Sequence, residues 1–155
     1  MKVVIQRTTK AYVKVNGKIV GKINKGLVVL AGFNKNDNEN IIDQMINKII
    51  NLRIFNDEKG VMNLSLNNIK GSILSISQFT LYADTTKGRR PSYINSLEAS
   101  IAIKLYDYFN QKLKDNNIEV ATGIFGEYMQ VDFVNDGPIT IIIDSEEWRK
   151  NNDKK

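Results

Sequence analysis

Asn135-Asp136-Gly137-Pro138-Ile139-Thr140 contains one of only two prolines in the chain. It lies between residues 129–134 and 139–144, two segments rich in the β-branched and aromatic residues that form strands. Proline has no amide hydrogen to give to a sheet, and glycine has no side chain to pack, so the pair makes a rigid feature with exposed carbonyl groups. Because Asp-Gly is a strong turn dipeptide, local chemistry favours a hairpin turn here. The alternative is that the turn forms part of the functional site of the protein.

The composition is that of a soluble globular protein. The 155 residues are 42% hydrophobic and 25% charged, which predicts one domain over residues 1–155 with a substantial core. A frayed tail is expected at about 151–155. No signal peptide is evident, and the longest apolar runs, such as 27–31, are too short to span a membrane. We therefore expect a cytoplasmic protein that does not enter a membrane.

Histidine and cysteine are both missing from the sequence. Disulfides, thiolate nucleophiles, Ser-His-Asp triads and zinc sites built from Cys or His are therefore excluded. A hydrolase of this composition needs an unusual base or a group borrowed from its substrate, because histidine is the usual base near neutral pH. No metal ion or cofactor is expected. The net charge of +5 leans toward a polyanionic partner such as nucleic acid, although a plain basic protein fits equally well.

Helix and strand patterns follow one another without a repeat or a linker. Apolar residues at helical spacing predict a helix over 39–52, with Asp37 or Asn38 as its N-cap, and a second over 96–114, capped by Ser96. The second helix is expected to bury Leu97, Ile101, Leu105, Tyr108, Phe109 and Leu113. Strands are predicted over 2–8, 11–15, 18–23, 26–32, 62–66, 72–76, 77–84, 118–121, 129–134 and 139–144.

Polar and apolar side chains alternate along residues 77–84. In a strand, this alternation would place Ser77 and Phe79 on one face and Gln78 and Thr80 on the other. Hydroxyl groups in strands usually bond to neighbouring backbone, so the pattern alone favours a structural role.

Several other residues have both a structural and a functional interpretation. Arg7 lies in a predicted strand and is expected to be exposed, as most arginines are. Phe125 and Met129, close to two glycines, are expected to fill core.

Lys87, Arg89 and Arg90 lie together in a loop that is followed by Tyr93. Basic residues beside an aromatic ring suit phosphate contact and base stacking. An ordinary solvated loop fits as well, and the residues alone leave both interpretations open.

The sequence resembles the family of D-aminoacyl-tRNA deacylases, which remove D-amino acids from mischarged tRNA. Two motifs carry the resemblance, Ser77-Gln78-Phe79-Thr80-Leu81 and Asn135-Asp136-Gly137-Pro138-Ile139-Thr140, in the family's order and at about its separation. Ile139 stands where valine is usual in the family. Shorter matches extend the resemblance over essentially the whole chain: Ile5-Gln6-Arg7, Arg53-Ile54-Phe55, Arg90-Pro91-Ser92, residues 105–109, and Gly123, Phe125 and Met129.

The resemblance implies an α+β fold, with a compact β-roll or barrel-like sheet packed with two main helices, that works as a homodimer. It implies that the Gly137-Pro138 peptide is cis and enters the active site of the partner subunit. There its two carbonyl oxygens would grip the α-amino group of a D-aminoacyl ester and exclude an L side chain. Arg7 would hold this motif in orientation.

The resemblance also implies the remaining site residues and the partner, aminoacyl-tRNA. The catalytic pocket, which receives the ester and the terminal adenosine, would be lined by Ser77, Gln78, Phe79 and Thr80 and supported by Phe125 and Met129. Contacts to tRNA phosphates are expected from Lys87, Arg89 and Arg90.

Such a substrate would explain the missing histidine. The free 2′-hydroxyl of the terminal adenosine lies next to the ester carbonyl and can act on it or orient water. Backbone amides near Phe79 and Thr80 would stabilise the oxyanion. Thr80 as a nucleophile is the rival mechanism, but it lacks a suitable base. Glycyl-tRNA, which has no side chain to reject, should also be cleaved to some extent.

Two other functions remain open at this stage. One is a non-catalytic RNA-binding or translation-associated module, which would also be basic and β-rich. The other is a related editing enzyme with a wider pocket that accepts some L-amino acids.

Overall fold

The computed structural model describes the backbone of residues 1–152 and the side chains of residues 1–148. Within residues 1–152, no helix is long and apolar enough to cross a membrane. Of the tail expected to be frayed, Asn151 and Asn152 end the last helix, and residues 153–155 lie outside the described part. The elements in order are β1 (Lys2–Val15), β2 (Lys18–Ile23), β3 (Gly26–Gly32), α1 (Glu39–Asn51), β4 (Phe55–Asn56), β5 (Met62–Leu64), α2 (Leu66–Ile69), β6 (Ser72–Ser77), a 3₁₀ turn (Phe79–Tyr82), α3 (Ala99–Asp115), β7 (Glu119–Thr122), β8 (Gln130–Asp144) and α4 (Ser145–Asn152).

A mixed sheet curls into a nearly closed barrel. Its order is β2-β1-β3-β6-β7, and β8 also pairs with β1. β1 is antiparallel to β2, β3 and β8, whereas β6 is parallel to β3 and β7. A Cβ atom on Gly21 of β2 would lie 2.4 Å from the carbonyl oxygen of Thr122 in β7, so only a glycine lets the two ends of the sheet approach this closely. The predicted α+β, barrel-like fold with two main helices is confirmed.

Helix α1 matches its sequence pattern. Asn38 is the N-cap, and its Oδ1 accepts a hydrogen bond from the Ile41 amide at 3.1 Å. The helix buries all six predicted apolar residues, Ile41, Ile42, Met45, Ile46, Ile49 and Ile50. These side chains form the main core together with apolar residues of β1, β3 and α3.

Helix α3 departs from its prediction in start and in face. It begins at Ala99 with Glu98 at the N-cap, while Ser96 donates its hydroxyl to the Phe79 carbonyl oxygen at 2.9 Å. Ile101 is 48% exposed rather than buried. The buried face includes a small residue and a polar one, which a count of apolar residues overlooks: Ala102, Tyr106, Phe109, Asn110 and Leu113.

The predicted strand over 77–84 is wrong beyond Ser77. The Gln78 amide donates to the Ala31 carbonyl oxygen at 2.8 Å, and the neighbouring strand β3 ends at Gly32. With no partner strand beyond that point, the chain turns into the 3₁₀ turn. Phe79 and Thr80 therefore do not alternate across a sheet.

The predicted hairpin at 135–140 is also wrong. Both flanking segments belong to the single strand β8, which runs along β1, itself one strand rather than the two predicted. Asn135 pairs with Thr8 and Thr140 with Gln6, so the four residues 136–139 stand opposite Arg7 alone. The Gly-Pro stretch is therefore a β-bulge in a long strand, and its residues are not paired with β1.

Candidate active site

A cleft of about 630 Å³ opens where β6 ends, between the 3₁₀ turn, the start of α3 and the loop before β8. Its volume is in the range of small-molecule sites, roughly 300–1,000 Å³. Five of the residues predicted for the pocket line it: Ser77, Gln78, Phe79, Phe125 and Met129. Thr80 is not among the described lining residues, although Gln78 holds it by donating from Nε2 to its hydroxyl oxygen.

The wall formed by the 3₁₀ turn is fixed from two sides. The Gln78 amide is bonded to β3, and the Phe79 carbonyl oxygen accepts from Ser96 at 2.9 Å. Phe79 itself is 58% exposed, with its ring 5.0 Å from that of Tyr93 in an edge-on arrangement. The leading N–H groups of such a turn have no partner inside it.

The opposite wall is held by a buried tyrosine. The Tyr106 ring packs 5.8 Å from that of Phe125, and its hydroxyl donates to the Ser75 carbonyl oxygen at 2.8 Å. Burial raises the pKa of Tyr106, so the hydroxyl stays protonated as a donor. A Cβ atom on Gly123 would lie 2.3 Å from the Met129 sulfur, so this glycine makes room for Met129. Phe125 and Met129 thus pack against core, as expected from composition, and also line the cleft.

Arg7 is buried, and the expectation of an exposed side chain is wrong. Its Nε donates to the Asp136 carbonyl oxygen at 3.1 Å and lies 3.2 Å from the Asp136 carboxylate. Its Nη1 donates to the Ile54 carbonyl oxygen at 3.0 Å and to the Asn56 side chain at 3.1 Å. Burial of the guanidinium is possible because these partners accept from its Nε and Nη1 groups.

The Gly137-Pro138 peptide is cis, and both residues are exposed. Asn135 braces the bulge, since its Oδ1 accepts from the Ile139 amide at 3.0 Å and its Nδ2 donates to the Thr140 hydroxyl at 3.1 Å. Among the described residues that line the cleft, neither Gly137 nor Pro138 is found. Within one chain, the structure therefore does not bring the two motifs together.

Lys87, Arg89 and Arg90 are exposed in a loop whose two ends are pinned together. The Asp84 amide donates to the Ser92 carbonyl oxygen at 2.8 Å, and the Ser92 amide donates back at 2.9 Å. None of the three cations forms an ion pair with a described residue, so their charge faces solvent.

Two carboxylates and two tyrosines at the cleft were not predicted for the site. Glu98, Glu127, Tyr93 and Tyr128 all line it. Tyr93 carries a signal in its basic surroundings, whereas no sequence pattern marks Glu98, Glu127 or Tyr128 as site residues. Within the described residues, no group of three acidic side chains is arranged as a metal site.

The sequence is similar to those of known D-aminoacyl-tRNA deacylases. Residues 4–144 match the family model described as D-Tyr-tRNA(Tyr) deacylase. A curated D-aminoacyl-tRNA deacylase of Thermosipho melanesiensis is 58% identical over 146 residues, covering 94% of this chain and 97% of the relative. The D-aminoacyl-tRNA deacylase of Thermosipho africanus is 56% identical over 145 residues, with the same shares covered.

Solved structures share the fold. A structure titled c-Myc DNA Unwinding Element Binding Protein superposes with a TM-score of 0.88 at 36% identity, covering 93% of this chain and 98% of that one. A probable eukaryotic D-amino acid tRNA deacylase superposes with a TM-score of 0.76 at 18% identity, covering 92% and 97%. The second likeness concerns the fold alone.

Proposed function

This chain belongs to the D-Tyr-tRNA(Tyr) deacylase family and is a D-aminoacyl-tRNA deacylase, a hydrolase, and on that premise we propose how it selects and cleaves its substrate. In a homodimer, the Gly137-Pro138 peptide of one subunit enters the cleft of the other. The cleft holds the terminal adenosine and the ester, and the inserted peptide reads the chirality of the amino acid. Family membership decides against the non-catalytic RNA-binding alternative.

The observation that carries this proposal is the separation of the two motifs within one chain. The cleft holds Ser77, Gln78 and Phe79, whereas Gly137 and Pro138 are exposed on a bulge outside it. A bulge held by Arg7 and Asn135 is stiff enough to be inserted into a second molecule without losing its shape. Two copies of the chain would thus supply two complete sites.

The inserted peptide selects D-amino acids through its backbone oxygens, and we call it the backbone filter. The carbonyl groups of Gly137 and Pro138 accept hydrogen bonds from the α-ammonium group of the substrate, which fixes the direction of the amino acid side chain. A D side chain then points into free space, whereas an L side chain meets the inserted peptide. Glycine, with no side chain, passes the filter, so glycyl-tRNA is also a substrate.

Catalysis relies on the substrate and the backbone rather than on a side-chain base. The 2′-hydroxyl of the terminal adenosine acts on the neighbouring carbonyl or orients water. The leading amides of the 3₁₀ turn, near Phe79 and Thr80, stabilise the oxyanion. Ser77 and Gln78 position the ester, while Phe125 and Met129 support the adenosine.

Lys87, Arg89 and Arg90 contact the phosphates of the tRNA acceptor end. Only this end has to be bound, so affinity is modest and depends strongly on salt. The enzyme acts in the cytoplasm, where aminoacyl-tRNA is used.

Mixing two inactive variants tests the shared site. Gly137→Ala displaces the carbonyl groups of the inserted peptide. Ala99→Trp fills the cleft with a large side chain from the exposed first residue of α3. Neither homodimer should deacylate D-aminoacyl-tRNA. After co-refolding, each heterodimer contains one intact site, made by the Ala99 cleft of the Gly137→Ala chain and the Gly137 peptide of the Ala99→Trp chain. Activity should therefore appear only in the mixture.

A mixture that stays inactive, with heterodimers demonstrated by native mass spectrometry, contradicts insertion between subunits. D-, L- and glycyl-tRNA assayed with the wild type give the second readout. Comparable turnover of L-aminoacyl-tRNA would favour the wider-pocket editing enzyme instead, and no turnover of glycyl-tRNA would contradict the backbone filter.

A further inference from the structure

We propose that an aromatic rim at the mouth of the cleft, formed by Phe79, Tyr93 and Tyr128, stacks on the unpaired nucleotides immediately 5′ of the terminal adenosine. This inference rests on the proposed function, in which the cleft itself receives that adenosine. It adds a binding site for a single-stranded RNA segment at the mouth of the cleft and names the residues that form it.

The exposure of the three rings is the first observation. Phe79 is 58% exposed, Tyr93 41% and Tyr128 83%, although each lines the cleft. Large aromatic side chains left in water at the edge of a cleft mark a surface that binds a partner. Their flat faces can each take one base, whatever its sequence.

The rings come from three different segments of the chain, and all three line the cleft. Tyr93 precedes α3 and meets Phe79 edge-on at 5.0 Å between ring centroids. Tyr128 lies in the loop between Gly126, which has φ of +81°, and the start of β8. A chain that leaves the cleft would pass these rings before it reaches solvent.

The charge beside the rim identifies the occupant as nucleic acid. The loop of Lys87, Arg89 and Arg90 is closed by the Asp84–Ser92 bridge, and Ser92 is the residue immediately before Tyr93. These cations form no ion pair with a described residue and lie next to exposed rings. Such an arrangement suits a single strand, with phosphates on the cations and bases on the rings. Three exposed cations beside the rings favour a polyanionic strand over an apolar peptide as the occupant of the rim.

The test compares substrates of different length. D-aminoacyl-adenosine fills only the cleft, whereas the same ester on a CCA trinucleotide or on tRNA also reaches the rim. Tyr93→Ala and Tyr128→Ala should each raise KM for the two longer substrates about tenfold, the effect of one stacked base, and leave KM for the short one unchanged. Tyr93→Phe should behave as the wild type. Ile19→Ala, a similarly exposed side chain on β2, should change neither value.

Equal losses on the short and long substrates would overturn the proposal, because the rings would then belong to the adenosine site. Unchanged KM for tRNA would overturn it as well, and so would dissociation of the dimer by Tyr93→Ala in sedimentation, since the rim would then be a contact between copies.

Calorimetric binding of uncharged CCA trinucleotide and of adenosine separates this inference from the proposed function. Tyr93→Ala should weaken only the trinucleotide about tenfold, whatever the outcome of the hydrolysis assays. If the wild type binds the trinucleotide no more tightly than adenosine, the proposed role of the rim is also contradicted.

Discussion

Arg7 and Asp136 are joined twice, by a hydrogen bond of 3.1 Å from Nε to the Asp136 carbonyl oxygen and by an ion pair of 3.2 Å from Nε to its carboxylate. The same guanidinium donates to the Ile54 carbonyl oxygen and to Asn56. The Arg7 side chain is only 10% exposed, so these bonds are largely shielded from water. One buried cation therefore ties the bulge of β8 to the segment around β4.

Arg7→Ala should lower the free energy of unfolding by about 2–4 kcal/mol, because it leaves the buried Ile54 carbonyl and the bulge without their donors. Arg7→Lys should recover only part of this loss, since an ammonium group cannot reproduce the planar fork of donors. Urea unfolding measures both. The matched control is Arg53→Ala, an exposed arginine whose Nε donates to the Asn63 carbonyl oxygen at 3.0 Å. A loss at Arg7 no greater than that at Arg53 would contradict the bracing role.

Gly137→Ala should reduce kcat/KM for D-aminoacyl-tRNA by more than about 100-fold. The new Cβ would lie 2.7 Å from the Ile139 side chain and 3.4 Å from Arg7, at a φ of +132° that L residues rarely adopt, so the carbonyl groups would be displaced. Displacement of about 1 Å in a positioning group costs about this much in rate.

Gly60→Ala separates loss of the site from general backbone strain. Gly60 also has a positive φ, +75°, but a Cβ there meets nothing within 4 Å. It should cost about 1 kcal/mol of stability and leave kcat/KM unchanged. If both variants lose activity in proportion to their stability, the specific role of Gly137 is contradicted.

The sequence predicted some elements well, for reasons visible in particular residues. Helix α1 packs one unbroken apolar stripe against the sheet and has a side-chain cap at Asn38, so local rules suffice. Helix α3 shares its buried face with a polar residue, Asn110, and with Ala102 beside the cleft, and there the apolar pattern predicts a shifted face.

The two motifs show the limit of local rules more clearly. A Gly-Pro pair looks like a hairpin turn, but strand β1 is long enough to pair with both of its flanks, and this long-range pairing makes the stretch a bulge. Long-range pairing also decides where β6 ends. Strand β3, its neighbour, ends at Gly32, so β6 ends at Ser77 and the chain continues as the 3₁₀ turn. Arg7 is buried because its partners Ile54 and Asp136 arrive from distant parts of the chain.

Removal of the 2′-hydroxyl of the terminal adenosine should slow deacylation far more than Thr80→Ala or Ser77→Ala. Thr80 lies outside the residues that line the described cleft, and its hydroxyl oxygen already accepts a bond from Gln78. Each variant should retain kcat within about tenfold of the wild type, whereas a 2′-deoxy substrate should lose at least 100-fold, the range of a lost acid–base group. Single-turnover kinetics measure the chemical step.

Glu98→Gln and Glu127→Gln complete the comparison, because these carboxylates line the cleft and are the available side-chain bases. Retained activity in both is expected. A collapse of activity in Thr80→Ala, with folding and tRNA binding intact, would favour the nucleophile mechanism.

Substitution of Lys87, Arg89 and Arg90 by glutamine should weaken tRNA binding at low salt and flatten its salt dependence. Three lost phosphate contacts on a single strand change the slope of log K against log salt by about 2. Filter binding over a range of KCl concentrations gives this slope. Lys18, Lys22 and Lys25, in and beyond β2, offer a control with the same change of net charge. An equal change of slope in both triple variants would mean that net charge, rather than the loop, governs binding.

Tyr106→Phe should lower the free energy of unfolding at pH 8 by about 1 kcal/mol, because the Ser75 carbonyl oxygen loses its donor. Burial raises the pKa of Tyr106 above its usual 10.0, so the folded state holds this proton more tightly than the unfolded state. The stability that follows is complete below pH 10.0 and is lost as the pH rises above it. The advantage of the wild type over Tyr106→Phe should therefore shrink as the pH rises above 10.0, as measured by urea unfolding at each pH. Tyr128→Phe, a change on an exposed ring, is the control at pH 8 and should leave the free energy of unfolding close to that of the wild type. A difference between wild type and Tyr106→Phe that stays constant through this range would show that the hydroxyl ionises equally in both states, and the buried tyrosine would then not hold the cleft wall as a permanent donor.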